Sequence, residues 1–387
     1  MESSLRILSV VGARPNFMKV APIHRAFQQT EYSRVRKGAS TLAVEHLIVH
    51  TGQHYDAAMS DAFFADLEMP EPAYFLGIGS GSHAEQTAKV MMGFEKVCLE
   101  ATPAMVLVVG DVNSTIAATL TATKLGIPVA HVEAGLRSFD RTMPEELNRL
   151  ATDALCDYAF VTEESGMQHL RRENFPQERC FFVGNTMIDS LHFALPKARQ
   201  SSVLADIGVE AGKYVLATLH RPSNVDDPAQ LRALAEIFTD IARDYAIVFP
   251  VHPRTRKQLQ EFGVQELLSA HSNIHCIEPQ GYVNFLALMM QARLVMTDSG
   301  GVQEETTALG VPCLTLRTTT ERPITCELGT NVLVRPEAAY IRAAVQTALF
   351  NASDKNPAKQ ASVPPLWDGR AAERIAKIIV EILSDVH

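Results

Sequence analysis

The stretch LRILSVVGARPNFMK, residues 5–19, contains an apolar strand, a turn and the start of a helix. The run at 5–12 is typical of a strand in a parallel sheet that is covered on both faces. A helix is predicted near residues 17–29, and the turn before it carries Arg14 and, soon after, Lys19. A turn with two cations is either a phosphate-binding loop or an ordinary surface turn, and the rest of the chain decides between them.

The alternation of strand and helix continues along the chain. Further strands are predicted at 44–50, 105–110, 128–133, 157–162 and 180–184, with helices near 56–67, 84–100, 114–125, 144–155 and 163–173. The pattern restarts with strands at 213–220, 245–252, 273–278, 293–298 and 312–317. This predicts an α/β fold of two doubly wound parallel-sheet domains, with ligands at the carboxyl ends of the strands in the cleft between domains.

The 387 residues fit two domains. We predict an N-terminal domain over 1–185, a C-terminal domain over 186–365 and a last amphipathic helix within 366–387.

Composition limits the classes of partner. The formal net charge of −9 argues against nucleic acid or an anionic membrane as the main partner, although an anionic small ligand needs only a local cationic pocket. No run of about 18 apolar residues and no signal peptide is visible, which predicts no membrane span. Six scattered cysteines without a C-x-x-C pair favour buried, reduced thiols in a cytoplasmic protein.

The residues that follow the predicted strands are polar. Asp111 and Glu133 end neighbouring strands, so they are a candidate acid/base pair. Glu145 lies in TMPE, 142–145, which matches a helix capping box, and that role alone explains it locally. His220 ends a strand of the second half. The histidines lack metal-ligand spacing, so no metal site is predicted.

The best anion-site candidate is TDSGGVQEE, 297–305. A strand ends, Gly300 and Gly301 allow close approach of the backbone, and a helix begins with free N–H donors and the positive end of its dipole. A glutamate one turn into the helix can accept both hydroxyls of a ribose. A plain helix cap with a tight turn explains the same stretch equally well. The stretch GIGSGSHAEQ, 77–86, departs from the dinucleotide pattern and is read as a loop before a helix.

Eight motifs together resemble the UDP-N-acetylglucosamine 2-epimerases of the non-hydrolysing type. They occur in the family's order between about residues 7 and 330: GARPNFMKVAPI, TGQHYD, GDVNST, HVEAGLRSFDRTMPEELNR, GNTMIDS, LHRPSN, DSGGVQEE and TTTERPIT. The resemblance implies a GT-B fold of two Rossmann-like domains, the second binding UDP, with the last helix packed back on the first domain. It also implies reversible inversion at C2 of UDP-GlcNAc to give UDP-ManNAc. The family eliminates UDP to a 2-acetamidoglucal and adds it back, with no cofactor, and is homodimeric.

The resemblance also implies roles for single residues. Asp111, Glu133, Glu145 and His220 match the catalytic positions. Nine residues match substrate-binding positions: Arg14, Lys19, Gln280, Phe285, Ser299, Gly300, Gly301, Glu305 and Arg322. Arg14 and Lys19 thereby belong to a cationic loop near the diphosphate.

One region departs from the family pattern. Many bacterial members carry a charged pair after the histidine–arginine, where this chain has Pro222 and Ser223. In those enzymes the region helps to bind a second, activating UDP-GlcNAc. Gln53, His54 and His252 match the remaining positions of that allosteric site.

Four other functions fit part of the motif set. A related 2-epimerase acting on a UDP-diacetamido-uronic acid shares nearly all of them, and a hydrolysing epimerase would release UDP and ManNAc. A GT-B glycosyltransferase is disfavoured because it needs neither three carboxylates nor the HVEAGLR block. A non-catalytic sugar-nucleotide sensor is disfavoured because none of the acidic residues is missing.

Overall fold

A computed structural model describes residues 4–37, 40–53, 64, 66–349 and 362–385. The chain divides into two compact units, Met1–Phe193 with Pro365–His387, and Ala194–Pro364. The helix predicted near 56–67 lies mostly outside the described residues.

The first unit is an α/β domain around one sheet. Its elements are β1 Ser4–Val11, α1 Arg14–Gln28, β2 Arg34–Lys37, β3 Ser40–His50, β4 Tyr74–Phe75, α2 His83–Ala101, β5 Met105–Val109, α3 Asn113–Lys124, β6 Val129–Ala134, α4 Pro144–Leu155, β7 Tyr158–Val161, α5 Glu164–Arg172, β8 Cys180–Phe182 and α6 Thr186–Ala198. A single 3-10 turn, Gln177–Arg179, precedes β8.

The first sheet has the strand order β2-β3-β1-β5-β6-β7-β8, with β4 paired to β3. All pairs are parallel except β2 with β3. Every residue of β5 and β6 is buried. This explains why β5 reads as an unbroken apolar run, whereas β6 also buries His131 and Glu133. The chain order reverses beside β1, so the ends of β1 and β5 flank the position where ligands of such sheets bind.

The second unit contains β9 Tyr214–Thr218, β10 Ala246–Pro250, β11 Ile274–Ile277, β12 Leu294–Thr297, β13 Cys313–Leu316 and β14 Asn331–Val334. Its helices are α7 Val203–Ile207, α8 Pro222–Val225, α9 Pro228–Ile241, α10 Pro253–Glu261, α11 Gln265–Ser269, α12 Tyr282–Met290, α13 Gly300–Leu309, α14 Ile324–Glu327 and α15 Ala338–Leu349. The order β11-β10-β9-β12-β13-β14 is the Rossmann arrangement, and all pairs are parallel. The order reverses between β9 and β12.

The last helix, α16 Ala371–Asp385, belongs to the first unit. It packs on α1 and β2. Asp189 of α6 holds its start, because the carboxylate accepts hydrogen bonds from the backbone N–H groups of Ala371 at 3.1 Å and Ala372 at 2.6 Å. Nearby, the indole of Trp367 is buried and donates to the carbonyl of Thr162.

The prediction of an α/β fold with two Rossmann-like parallel sheets, of the GT-B type, is confirmed. Three strands were not predicted. β2 is a basic edge strand, which pairs antiparallel to β3. β4 is a two-residue strand that pairs parallel to β3, and β14 is a short strand at the edge of the second sheet. Cys276 is exposed, contrary to the expectation of buried thiols. Within the described residues, no helix combines the length and apolar character needed to cross a bilayer.

Candidate active site

The turn after β1 is tied to the end of β5 in the first unit. The side-chain oxygen of Asn16 accepts from the backbone N–H groups of Gly12 at 3.1 Å and Ala13 at 3.0 Å. Its amide nitrogen donates to the carbonyl of Val109 at 3.0 Å. Arg14 is the first residue of α1, and its side chain lies outside the described part of the chain. The Asn16 side chain therefore holds the turn in place and fixes the start of α1.

Lys19 and Glu133 form a buried ion pair at this edge of the sheet. The ammonium nitrogen lies 2.5 Å from a carboxylate oxygen, and the two side chains are 5% and 2% exposed. Glu133 has a φ of +75°, and the register of β6 against β7 shifts between Val132 and Ala134. A β-bulge of this kind re-aims a side chain, and a non-glycine residue in the left-handed region carries backbone strain. Glu133 itself therefore carries backbone strain in the first sheet.

Asp111 is anchored by helix α4. Its carboxylate pairs with the buried guanidinium of Arg149, and its backbone carbonyl accepts from the side chain of Asn148 at 2.8 Å. The Asp111 side chain stays 20% exposed. Gly110, directly before it, has a φ of +66°, and a Cβ there would lie 3.0 Å from the ammonium of Lys19 and 4.0 Å from Glu133. Gly110 therefore lies against the Lys19–Glu133 pair, and Asp111 follows it directly along the chain.

Glu145 does not belong to a capping box, contrary to one prediction from the sequence. Met143 caps α4 without a side-chain hydrogen bond, and Thr142 bonds to Asp140 instead. Glu145 is half-buried in the first turn of the helix, with no cap to hold it. The competition between capping and catalysis that the sequence suggested is therefore absent.

Gln53 is buried in the first unit. Its side-chain oxygen accepts from the backbone N–H of Ser114 at 3.1 Å and from the Ser114 hydroxyl at 2.7 Å. Thr51 contacts the same hydroxyl at 2.8 Å. Gln53 thus holds the start of α3. His54 lies outside the described residues.

In the second unit, His220 is bound to Asp298 where the strand order reverses. The ring Nδ1 lies 2.8 Å from the Asp298 carboxylate, which is fully buried. The same carboxylate accepts from the backbone N–H groups of His220 and Arg221 and from the side chain of Asn224. Burial raises the pKa of Asp298, but the charge and hydrogen bond of His220 and the two other donors outweigh it, so that pKa is lowered. Asp298 therefore stays ionised and orients the imidazole.

His252 lies beside His220. It caps α10, where its Nδ1 accepts from the backbone N–H of Arg254 at 3.2 Å. The two imidazole rings are 5.7 Å apart between centroids. The structure therefore brings one proposed allosteric residue to the proposed catalytic histidine of the same unit.

Ser299, Gly300 and Gly301 form the start of α13. A Cβ on Gly300 would lie 2.9 Å from Arg322 and 3.0 Å from Glu321. The Arg322 guanidinium contacts Glu304 at 2.7 Å and Glu321 at 2.6 Å. An arginine and two carboxylates are thus packed under the helix N-terminus, and the glycine is required for their close approach.

The remaining predicted residues lie just before α12, on α12 and on α13. These two helices pack together. Gln280 precedes α12 and donates from its side chain to the carbonyl of Glu278 at 2.8 Å. Phe285 is half-buried on α12, and Glu305 is buried on α13 at 4% exposure. Gln280 and Phe285 therefore belong to α12 and the segment just before it, whereas Ser299, Gly300 and Gly301 belong to the start of α13. No cluster of three metal-ligating side chains occurs among the described residues.

Comparison with known proteins gives the family. A family model described as UDP-N-acetylglucosamine 2-epimerase matches residues 37–380. The chain belongs to the UDP-N-acetylglucosamine 2-epimerase family. It is 41% identical to the UDP-N-acetylglucosamine 2-epimerase of Methanocaldococcus jannaschii over 97% of this chain and 99% of that protein. It is 40% identical to the UDP-2,3-diacetamido-2,3-dideoxy-D-glucuronate 2-epimerase of Pseudomonas aeruginosa, over 89% of this chain and 92% of that protein.

Solved structures of the epimerase family share the fold. The crystal structure of the Methanocaldococcus jannaschii UDP-GlcNAc 2-epimerase in complex with UDP-GlcNAc and UDP has a TM-score of 0.85 to this chain. That comparison covers 97% of this chain and 100% of the other at 41% identity.

Several buried charged residues around the candidate site were not predicted from the sequence. Glu146, Arg149 and Asp153 are buried on α4, and Glu321 is buried beside Arg322. The signal was present, because the spacing of three and four residues puts three charged side chains on the face of α4 that packs inward. Charges at core-facing positions of a helix need partners, and those partners proved to be Asp111, Ser138 and His131.

Proposed function

We propose that this protein interconverts UDP-GlcNAc and UDP-ManNAc by inverting C2 of the sugar, without net hydrolysis. The observation that carries the proposal is the strained, buried Glu133, which pairs with Lys19 against Gly110, the residue directly before Asp111. Family membership and the relatives at about 40% identity support the substrate class.

The chemistry requires a proton to leave C2 while UDP leaves C1. A carboxylate takes the C2 proton, the C1–O bond breaks with its electrons going to the diphosphate, and a C1=C2 double bond forms. Addition of the diphosphate oxygen to C1 and a proton to the opposite face of C2 gives the epimer. Positioned acid–base groups contribute about 10²–10⁴-fold to such steps. Asp111, Glu133 and Glu145 are the proposed proton-transfer groups.

The leaving diphosphate needs cations and N–H donors. The second unit offers His220, kept oriented by Asp298, and the start of α13 with Arg322 beneath it. The first unit offers Lys19 and, by its place at the start of α1, Arg14. Glu305 is the proposed partner of the ribose, and Gln280 with Phe285 the proposed uracil contacts. Gln53 and His252 are proposed to take part in nucleotide-sugar binding at a second site.

The deciding experiment is a proton NMR time course of the purified protein with UDP-GlcNAc in D2O. We expect UDP-ManNAc to appear with deuterium at C2 in both sugars. Free ManNAc and UDP would assign the protein to hydrolysing epimerases. Absence of any change, followed by turnover of the UDP-diacetamido-uronic acid, would replace the substrate by that of the Pseudomonas aeruginosa relative.

A matched set of variants tests the residues. Asp111→Asn, Glu133→Gln and Glu145→Gln are each expected to lower kcat by about 10²-fold or more while UDP affinity changes little. Unchanged kcat in all three would reject the carboxylate assignment. Light scattering of the purified chain tests the proposed homodimer.

A further inference from the structure

His131 is fully buried on β6, two residues before Glu133. Its Nδ1 lies 2.6 Å from the carboxylate of Asp153, and its Nε2 lies 2.9 Å from the carbonyl oxygen of Gly110. Neither the family resemblance nor the proposed function gives this histidine a role. Gly110 is the residue directly before Asp111, so the contact ends at the peptide that carries a proposed catalytic carboxylate.

Both contacts of the ring are to groups that are themselves held in place. Asp153 also accepts from the Arg137 guanidinium at 2.7 Å and from the backbone N–H of Gly135 at 3.0 Å. Burial raises the pKa of Asp153, but His131 and Arg137 lower it by more, so the group is a carboxylate. The ring therefore bridges a fixed carboxylate and the Gly110 carbonyl.

The backbone around Gly110 needs such a hold. Gly110 has a φ of +66°, outside the strand conformation of β5, and its N–H donates to the carbonyl of Val132 at 3.1 Å. The next carbonyl, that of Asp111, accepts from Asn148. Two side chains from different elements therefore fix consecutive carbonyls, while Arg149 holds the Asp111 carboxylate.

We propose that His131 is a positioning residue for the reaction, which holds Asp111 in its working orientation through the Gly110 carbonyl. The inference rests on the proposed function of Asp111. His131 touches neither substrate nor the reacting atoms in this scheme. A small displacement of a catalytic group costs up to about 10²-fold in rate. His131 contacts the residue directly before Asp111, so loss of that contact is expected to lower the rate.

Two substitutions separate the two ends of the ring. His131→Asn keeps a donor near the Nδ1 position, facing Asp153, and loses the reach to Gly110. His131→Gln places its amide donor near the Nε2 position, facing Gly110. We expect His131→Asn to lower kcat by about 10²-fold with KM for UDP-GlcNAc changed by less than about threefold. His131→Gln should restore most of that loss.

His46 supplies the matched control. It is also buried, on β3 of the same sheet, where its Nε2 bonds to the hydroxyl of Ser9 at 2.7 Å. His46→Asn and His46→Gln should keep kcat within about twofold of the wild type when activity is corrected for the folded fraction. Equal loss of kcat in both His131 variants, or a loss of the same size in the His46 variants, would overturn the positioning role.

Hydrogen exchange read by mass spectrometry tests the positioning without any activity. Backbone amides of residues 110–113 should exchange faster in His131→Asn than in the wild type, His131→Gln or His46→Asn. Equal protection in all four proteins would overturn the inference. A wild type that turns over no UDP-sugar would reject the proposed function, while the exchange result would still decide the contact of His131 with the Asp111 peptide.

Discussion

The ammonium of Lys19 lies 2.5 Å from the carboxylate of Glu133, and both side chains are almost fully buried. The pair joins α1 to the bulge of β6. Glu133 makes this contact from a left-handed backbone conformation, with a φ of +75°. A charge in such a place is stable only with its partner, since an unpaired buried ion costs several kcal/mol. The pair therefore links the stability of the first unit to its proposed chemistry.

The first prediction separates these two roles. Glu133→Gln should lower kcat by about 10²–10⁴-fold and lower the free energy of unfolding by about 3–5 kcal/mol, because the Lys19 ammonium is left buried and unpaired. Adding Lys19→Met should restore much of the stability and none of the activity. Urea unfolding measures the free energy of unfolding, and single-turnover rates measure the activity. A double variant as unstable as the sum of the two singles would show that the ion pair is not the cause.

The second prediction contrasts adjacent glutamates. Glu145 makes no helix cap, so Glu145→Gln should change stability by less than about 0.5 kcal/mol while kcat falls. Glu146 is buried and accepts from the backbone N–H groups of Ser138 and Phe139 and from the Ser138 hydroxyl. Glu146→Gln should therefore lose about 1–3 kcal/mol of stability. A larger stability loss for Glu145→Gln than for Glu146→Gln would contradict the geometry.

Most of the strands could be predicted from the sequence, and the reason lies in their burial. The fold was predictable because parallel strands buried on both faces read as apolar runs, and β5 is such a strand. β2 was missed, since its Arg34, Arg36 and Lys37 give no apolar signal at a sheet edge.

The residue types at strand ends were predictable, but their partners were not. Glu146 and Arg149 contact residues of other elements, so only the folded chain brings them together. The capping box failed for a similar reason. Thr142 has a nearer partner in Asp140, which competes for its hydroxyl.

The third prediction concerns the start of α13. Gly300→Ala puts a Cβ within 3.0 Å of Arg322 and Glu321, both buried, so the arginine has to move. We expect UDP to bind about 10- to 100-fold more weakly, since a hydrogen bond to a charged group is worth about 1.5–3 kcal/mol. Titration calorimetry with UDP measures the change.

Gly310 offers the control for that variant, because it ends the same helix. It has a φ of +71° and open space around its Cα. Asparagine tolerates this conformation, so Gly310→Asn should leave UDP affinity unchanged. Equal UDP affinity in Gly300→Ala and the wild type would exclude Arg322 from nucleotide binding.

The fourth prediction is a pH dependence of the docking of α16. Burial raises the pKa of Asp189 from 3.8 to about 6, although its hydrogen bonds to Ala372 and Ala371 lower it. The folded protein therefore holds this proton more tightly than the unfolded chain does. The stabilisation is fully present below pH 3.8 and is lost as the pH rises through about 6.

Asp189→Asn removes that titration. The stability of the variant relative to the wild type should rise between pH 4 and pH 8, by up to about 3 kcal/mol for a shift of about two pKa units. Trp367 is the sole tryptophan and lies just before α16, so its fluorescence during urea unfolding reports this region. Glu178→Gln, at an exposed site of the same unit, should show no such trend. A stability difference between Asp189→Asn and the wild type that stays constant across this range would contradict the prediction. It would mean that Asp189 has the same pKa in the folded and unfolded protein. The hydrogen bonds to α16 would then offset the whole cost of burying the carboxylate.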